Sequence, residues 1–281
     1  LHFGSLVAAL GSCLDARAAG GEWLLRMEDV DAPRCTVAAA DAILYVLEAF
    51  GFAWDGPVVW QSDRDTAYAA ALAQLRDRGR VFPCACTRRE LADSRLGVAT
   101  DGATIYPGRC RDGLPAGREA RAWRLRVDQA PIRFDDRVQG RIECNLQSEV
   151  GDFVLRRADG LFAYQLAVVV DDAEAGITHV VRGADLLTST PRQIFLQHCL
   201  DLPTPAYAHL PVVLNAAGEK LSKQTLAAPL DVAQALPQLV SALRFLGQQP
   251  PVDLAKSSLD EFWAWAIGHW SLDQVPRQAP F

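Results

Sequence analysis

Between Leu6 and Gly79 the chain alternates helical and extended hydrophobic patterns, and this alternation narrows the fold more than any other feature. Leu6, Leu10, Cys13 and Leu14 fall at helical spacing, and Gly20-Gly21 stops that helix. Residues 23–27 read as a short buried strand. It delivers Arg26, Glu28, Asp29 and Asp31 near its C-terminal end, where open α/β sheets bind ligands. A helix is expected over 36–49, a turn at Trp54-Asp55-Gly56-Pro57, and a further helix through Tyr68, Leu72 and Leu75 to Gly79. Strand–helix–strand–helix order predicts a doubly wound parallel sheet.

The pattern breaks at Cys84. Two cysteines, a glycine-containing loop and short arginine-studded strands (122–127 and 132–135) fill the stretch to Asn145 and read as an insertion. The α/β pattern resumes with strands expected at 153–156 and 179–183, a helix at 191–200 and a strand at 211–214. After Leu226 only helical pattern remains, over 232–246 and 259–270. The expected architecture is a Rossmann-type nucleotide-binding domain (1–82 and 146–225), an inserted subdomain (83–145) and a C-terminal helical region (226–281). The chain opens at Leu1, without methionine, inside what reads as a strand-to-helix turn. The first strand of the sheet, with any ligands it carries, is therefore expected to lie before it.

Lysine is scarce. Lys220, Lys223 and Lys256 are the only three, and two of them share the run Lys220-Leu221-Ser222-Lys223-Gln224. Elsewhere positive charge is carried by arginine. A loop that takes lysine twice in four residues needs a compact ammonium, which suits phosphate oxygens whose charge changes during a reaction. At the other end, His2-Phe3-Gly4-Ser5 opens the first helix. A helix N-terminus seats phosphate, and Gly4, without a Cβ, lets a nucleotide approach the backbone. The bland alternative is an ordinary helix start capped by Ser5. Together the two ends suggest ATP chemistry.

Bulk properties exclude several classes. A net charge of −6 argues against a protein that grips nucleic acid over its whole surface. No apolar run reaches the ~20 residues that span a bilayer, and no signal-peptide pattern is present. Seven cysteines read as reduced thiols rather than a disulfide framework, which points to the cytoplasm. Cys13, Cys35, Cys144 and Cys199 sit on apolar stripes or strand ends and read as core thiols. Cys84-Ala85-Cys86 with Tyr106-Pro107-Gly108-Arg109-Cys110 has a different look. Three thiols and a phenol could close a zinc tetrahedron, although tyrosine is an uncommon ligand and the Cys-x-Cys spacing is tight; small buried thiols are the alternative.

These residues also carry a family likeness. His2-Phe3-Gly4-Ser5 resembles the HIGH motif of class I aminoacyl-tRNA synthetases, and Lys220-Leu221-Ser222-Lys223-Gln224 resembles their KMSKS motif. Leu25-Arg26-Met27-Glu28-Asp29-Val30-Asp31 and Trp60-Gln61-Ser62-Asp63-Arg64 resemble segments of the glutamyl- and glutaminyl-specific members. Residues 162–172, which include Tyr164-Gln165-Leu166, and Val181-Arg182-Gly183-Ala184-Asp185-Leu186 resemble the strand pair beside their amino-acid pocket. The matches run in family order from one end of the chain to Gln224.

The resemblance implies activation of L-glutamate by ATP with Mg2+, in which a carboxylate attacks the α-phosphorus and pyrophosphate leaves. It implies His2, Lys220 and Lys223 as the groups that stabilise the departing charge, with His2, Gly4 and Lys223 on ATP. It assigns Glu28, Tyr164 and Arg182 to the glutamate substrate; an arginine pairs a carboxylate well. The closest likeness is to short members without an anticodon-binding domain. These imply a structural zinc on Cys84, Cys86, Tyr106 and Cys110, and transfer of glutamate to queuosine in the anticodon loop of tRNA(Asp). The rivals are a truncated enzyme that charges the tRNA 3′ end, and an idle synthetase-like module that only binds RNA. Between Arg109 and Arg141 nine arginines face five acidic residues, which reads either as a solvated strand face or as a phosphate-binding platform.

Overall fold

The computed structural model describes residues 1–31, 35–92, 105–215, 218–221 and 227–278. Helix α1 (Phe3–Ala18) buries the predicted Leu6, Leu10, Cys13 and Leu14 stripe. Its N-cap is His2 rather than Ser5: the His2 Nδ1 accepts the Ser5 amide at 3.2 Å. Gly20, at φ +69°, supplies the left-handed turn that ends it. Strand β1 is shorter than expected, Arg26–Met27, and pairs in parallel with β2 (Val59–Trp60) across α2 (Val37–Ala49), which Thr36 caps. Helix α3 (Asp65–Asp77) follows and buries Tyr68, Leu72 and Leu75.

Strand β3 (Val81–Cys84) leads to the short helix α4 (Arg88–Ala92). It pairs antiparallel with β4 (Ala122–Leu125), which in turn pairs with β7 (Val154–Arg156). Between them lie the hairpin β5 (Ile132–Asp136) and β6 (Gly140–Cys144), then α5 (Leu146–Glu149). The hairpin does not stand apart. The Arg137 amide donates to the Tyr207 carbonyl at 2.8 Å, and the Arg137 side chain pairs with Asp15 of α1.

Residues 162–172, expected to be extended, lie mostly in helix α6 (Tyr164–Glu174). Its Val168-Val169-Val170 run favours a strand locally, but Leu166 to Asp171 are all buried and the segment packs against α3 and α7 (Thr190–Leu200). Burial on every side overrides a difference in propensity of well under 1 kcal/mol per residue. Strand β8 (His179–Gly183) runs parallel to β9 (Ala206–Leu210), with α7 as the crossover. The strand expected over 211–214 lies one element early. Pro211 lacks the N–H that a ladder needs, so β9 ends at Leu210. Leu214 instead bridges Lys220 in a hairpin-like turn closed by Leu221 N to Val213 O at 2.8 Å.

Among the described residues the parallel pairing is thus two ladders, β1–β2 and β8–β9, rather than one long sheet. One core lies among α3, α6, α7, β4 and the β5–β6 hairpin; a second joins α1 to α8 (Ala235–Phe245) and α9 (Leu259–His269). Cys13, Cys144 and Cys199 are buried as expected, whereas Cys35 is exposed. No described helix is long and apolar enough to cross a membrane.

Candidate active site

The two ends of the sequence meet in one cleft. His2, Gly4 and Ser5 at the start of α1, Arg182, Gly183 and Asp185 at the end of β8, and Lys220 and Leu221 line a cavity of about 320 Å³. The packing of α1 on β8 brings this about, since it sets the α1 N-terminus beside the C-terminal end of a parallel strand. A Cβ on Gly4 would stand 3.3 Å from the His2 ring, so a larger residue here would press on the ring that caps the helix. Lys220 Nζ meets the Asp185 carboxylate, and both side chains are partly open to solvent. Lys223 lies outside the described residues.

Arg182 is held from three sides. Its Nη2 donates to Thr190 Oγ1 at 2.8 Å and Gln193 Oε1 at 2.7 Å, both on α7, and its Nε donates to His209 Nε2 at 3.1 Å. Nη1 has a long contact to the Tyr164 hydroxyl, 3.5 Å, so its hydrogen-bonding capacity is the least used. Glu28 and Tyr164 do not line the cavity itself; Tyr164 touches Arg182 from α6, and Glu28, just after β1, lies within reach of the Arg182 charge. The Glu28 side chain is 44 % exposed and pairs with Arg26 at 3.3 Å. Crowding by protein around its carboxylate still raises its pKa, against the pull of Arg26 and Arg182. Burial likewise raises the Tyr164 hydroxyl, with Arg182 opposing. The three predicted glutamate ligands therefore share one electrostatic neighbourhood.

The sequence reading passed over the groups that hold this neighbourhood in place. Asp171 of α6 accepts from Arg64 Nε at 2.5 Å, Gln61 Nε2 at 2.7 Å and the Tyr68 hydroxyl at 2.8 Å. Asp172 accepts from Arg26 at 2.6 Å. Asp29 accepts from the Ser62 amide and hydroxyl. These bonds tie the end of β1, which carries Glu28, to α6, which carries Tyr164. The available signal was the clustering of acids and arginines inside the very motifs already singled out. His209 is fully buried behind Arg182.

At the end of β3, Cys84, Cys86 and Cys110 bring their sulfurs within 4.8 Å of one another. Cys86 and Cys110 stand 3.7 Å apart, close to the edge of about 3.8 Å that a tetrahedral zinc with Zn–S near 2.3 Å imposes. The Tyr106 oxygen lies 3.6 Å from Cys84 and 4.0 Å from Cys86, at the open corner, and accepts the Cys110 amide at 2.8 Å. Burial opposes ionisation of Cys84, but the Cys86 amide, Tyr106 and Arg124 outweigh it and lower its pKa. Burial and then the neighbouring Cys84 push the Cys86 thiol up to about 12. A divalent cation relieves such crowding of sulfur charge. The residues fit a metal.

Most of the neighbouring arginines engage the protein itself. Arg118 pairs with Glu90, Arg133 with Glu143 and Arg137 with Asp15. Arg124 is buried over the Tyr106 ring, Arg126 lies over Phe82, and Arg111 donates to the Val127 carbonyl. This favours a structural role for them over a phosphate platform.

Comparison with known proteins agrees with the geometry. Residues 1–244 match the family model for tRNA synthetases class I (E and Q), catalytic domain. The glutamyl-Q tRNA(Asp) synthetase of Dechloromonas aromatica is 64% identical over 279 residues, 99% of this chain and 93% of that protein. That of Thiobacillus denitrificans is 57% identical over 276 residues, 98% and 91% respectively. The crystal structure of glutamate-tRNA synthetase from Elizabethkingia anophelis superposes with a TM-score of 0.79 at 25% identity, covering 100% of this chain and 65% of that one. With the converging cleft, these matches establish that the chain belongs to the class I tRNA synthetases of the E and Q type and, within them, to the glutamyl-Q tRNA(Asp) synthetase family.

Proposed function

We propose that the chain activates L-glutamate with ATP and transfers the glutamyl group to queuosine in the anticodon loop of tRNA(Asp). The observation that carries this reading is 57–64% identity, over nearly the whole chain, to relatives that bear that name. The convergence of His2, Arg182 and Lys220 on one cleft supports it. In the first step an oxygen of the glutamate α-carboxylate attacks the α-phosphorus, the bond to the β-phosphate oxygen breaks, and pyrophosphate leaves. Positioning and charge neutralisation govern such a step more than a general base does. His2 hydrogen-bonds the triphosphate, Gly4 gives the nucleotide access to the backbone, and Lys223, with Lys220, neutralises the leaving phosphates. Mg2+ bound with ATP shares that charge. Glu28 holds the substrate ammonium, and Arg182 with Tyr164 holds a carboxylate. In the second step a hydroxyl of the queuosine cyclopentenediol attacks the acyl carbon and AMP leaves. A tRNA substrate places this work in the cytoplasm.

Cys84, Cys86, Cys110 and Tyr106 would hold a zinc, which would stiffen the turn after β3; its role would be structural, in a small separate cluster with Phe82 and Ala85. Metal analysis of the purified protein should find one zinc per chain, and Cys84→Ser should lose it; unchanged zinc in that variant discards the site.

Pyrophosphate exchange into ATP should depend on glutamate and Mg2+ and should need no tRNA. Labelled glutamate should then reach queuosine-containing tRNA(Asp) and spare the same tRNA lacking queuosine. Equal labelling of both, or label on the 3′-terminal adenosine, would assign the chain to the 3′-charging alternative. No exchange at all would leave an RNA-binding module.

A further inference from the structure

Behind Arg182 lies a buried pair that the proposed reaction leaves unused. Asp136, at the end of β5, directs one carboxylate oxygen at three backbone amides: Val138 at 3.0 Å, Gln139 at 2.8 Å and His209 at 3.1 Å. Its other oxygen meets His209 Nδ1 at 2.6 Å, and neither side chain is exposed. On the far side of the ring, His209 Nε2 faces Arg182 Nε at 3.1 Å and Thr190 Oγ1 at 3.1 Å. The ring also stacks on Tyr207, and the Gln139 side-chain Nε2 donates to the His209 carbonyl at 2.7 Å.

Hydrogen-bond bookkeeping leaves one arrangement. Ionised Asp136 only accepts, so Nδ1 carries the proton. Arg182 Nε–H only donates, so Nε2 must present its lone pair. We infer that Asp136 and His209 are positioning residues that hold Arg182 by fixing the neutral Nδ1–H tautomer of His209. Arg182 Nε is thereby committed to the ring and Nη2 to α7, which turns Nη1 toward Tyr164 as the edge offered to the substrate carboxylate. A protonated ring would set donor against donor and charge against charge. The charged groups around it are Asp136, Arg182 and Asp185, and burial, only partly offset by Asp136, keeps its pKa below the ordinary histidine value. The inference rests on the glutamate-binding assignment of Arg182. It adds that a hairpin from the middle of the sequence sets the aim of that arginine.

Asp136→Asn tests this with little change of shape. The amide oxygen can keep the three backbone bonds, while its NH2 donates to Nδ1 and moves the ring proton to Nε2, where it confronts Arg182. Nitrogen-15 NMR of histidine-labelled protein should read Nδ1–H in the wild type and Nε2–H in the variant. The KM for glutamate in tRNA-free exchange should rise roughly tenfold or more, as when a hydrogen bond to a charged group is lost, with the KM for ATP unchanged. A wild-type Nε2–H tautomer, or an unchanged glutamate KM in Asp136→Asn, overturns the inference. If Asp136→Asn fails to fold, His209→Gln, which restores an acceptor to Arg182, should bind glutamate better than His209→Leu; equal KM values overturn it. Wild-type exchange is the control: its absence would sink the glutamate assignment and leave the tautomer measurement standing.

Discussion

The two ends of the cleft are built on opposite plans. Arg182 sits in a cradle of Thr190, Gln193, His209 and Tyr164, drawn from three elements and backed by buried Asp136. Lys220 meets Asp185 across a partly solvated gap, its side chain 50 % exposed. A guanidinium with most of its donors committed has one direction left to point, and little entropy to lose when a carboxylate arrives. An ammonium on a flexible stem keeps many directions, which suits phosphates that change charge and position during the reaction. With the roles proposed for Arg182 and Lys220, the difference predicts that amino-acid selection is preformed, whereas phosphate neutralisation is assembled around ATP.

The sharpest way to break this comparison is Arg182→Ala. It removes the donor to the Gln193 oxygen and leaves His209 Nε2 with Thr190 alone, and kcat/KM for glutamate should fall about 10³-fold, mostly through KM, in line with the 2–5 kcal/mol lost when one partner of a hydrogen-bonded charge pair is truncated. A fall confined to kcat would mean that Arg182 serves the phosphates instead. Lys223→Ala should lower the exchange rate about 10²–10³-fold with little change in the KM for glutamate, as expected for a contact made mainly in the transition state. Near-wild-type exchange would remove it from the mechanism.

Between these extremes stands Glu28, whose raised pKa predicts a pH effect. Because its pKa lies above the usual carboxylate range, it loses charge earlier on acidification than an ordinary glutamate. The KM for glutamate should therefore climb as pH falls through that raised value, up to roughly tenfold per unit below it, and Glu28→Gln should flatten the profile. A profile identical in the two proteins would release Glu28 from the substrate ammonium. Least affected should be Asp185→Asn. An exposed ion pair contributes about 0–1 kcal/mol, so exchange should change less than about fivefold. A larger loss would show that the Lys220 end is as firmly built as the Arg182 end.

Helix positions were legible wherever a pattern of apolar residues met a local stop signal. The Leu6–Leu14 stripe closed by Gly20-Gly21 became α1, and Tyr68, Leu72 and Leu75 before Gly79 became the buried face of α3. The motifs at His2, Glu28, Arg182 and Lys220 were legible because each places a chemically apt residue at the end of an element. Two readings failed, each for its own reason. The valine run of α6 favours a strand locally, and the run after Pro211 has the apolar look of one, but tertiary burial made the first a helix and a missing N–H ended β9 before the second.

The sequence by itself determined the element types over most of the chain, which depend on spacing along one strand or helix, and its ordered motifs carried the family likeness that proposes residues for ATP, glutamate and zinc. Only the tertiary structure decided that Asp171 clamps Arg64 and Gln61, that Asp15 holds Arg137, and that Asp136 stands behind His209 and Arg182. Those partners lie many tens of residues apart. Each is an ordinary polar residue in its own segment, and its partner is set by how α1, α6 and the β5–β6 hairpin pack, since a buried carboxylate must find a counter-group.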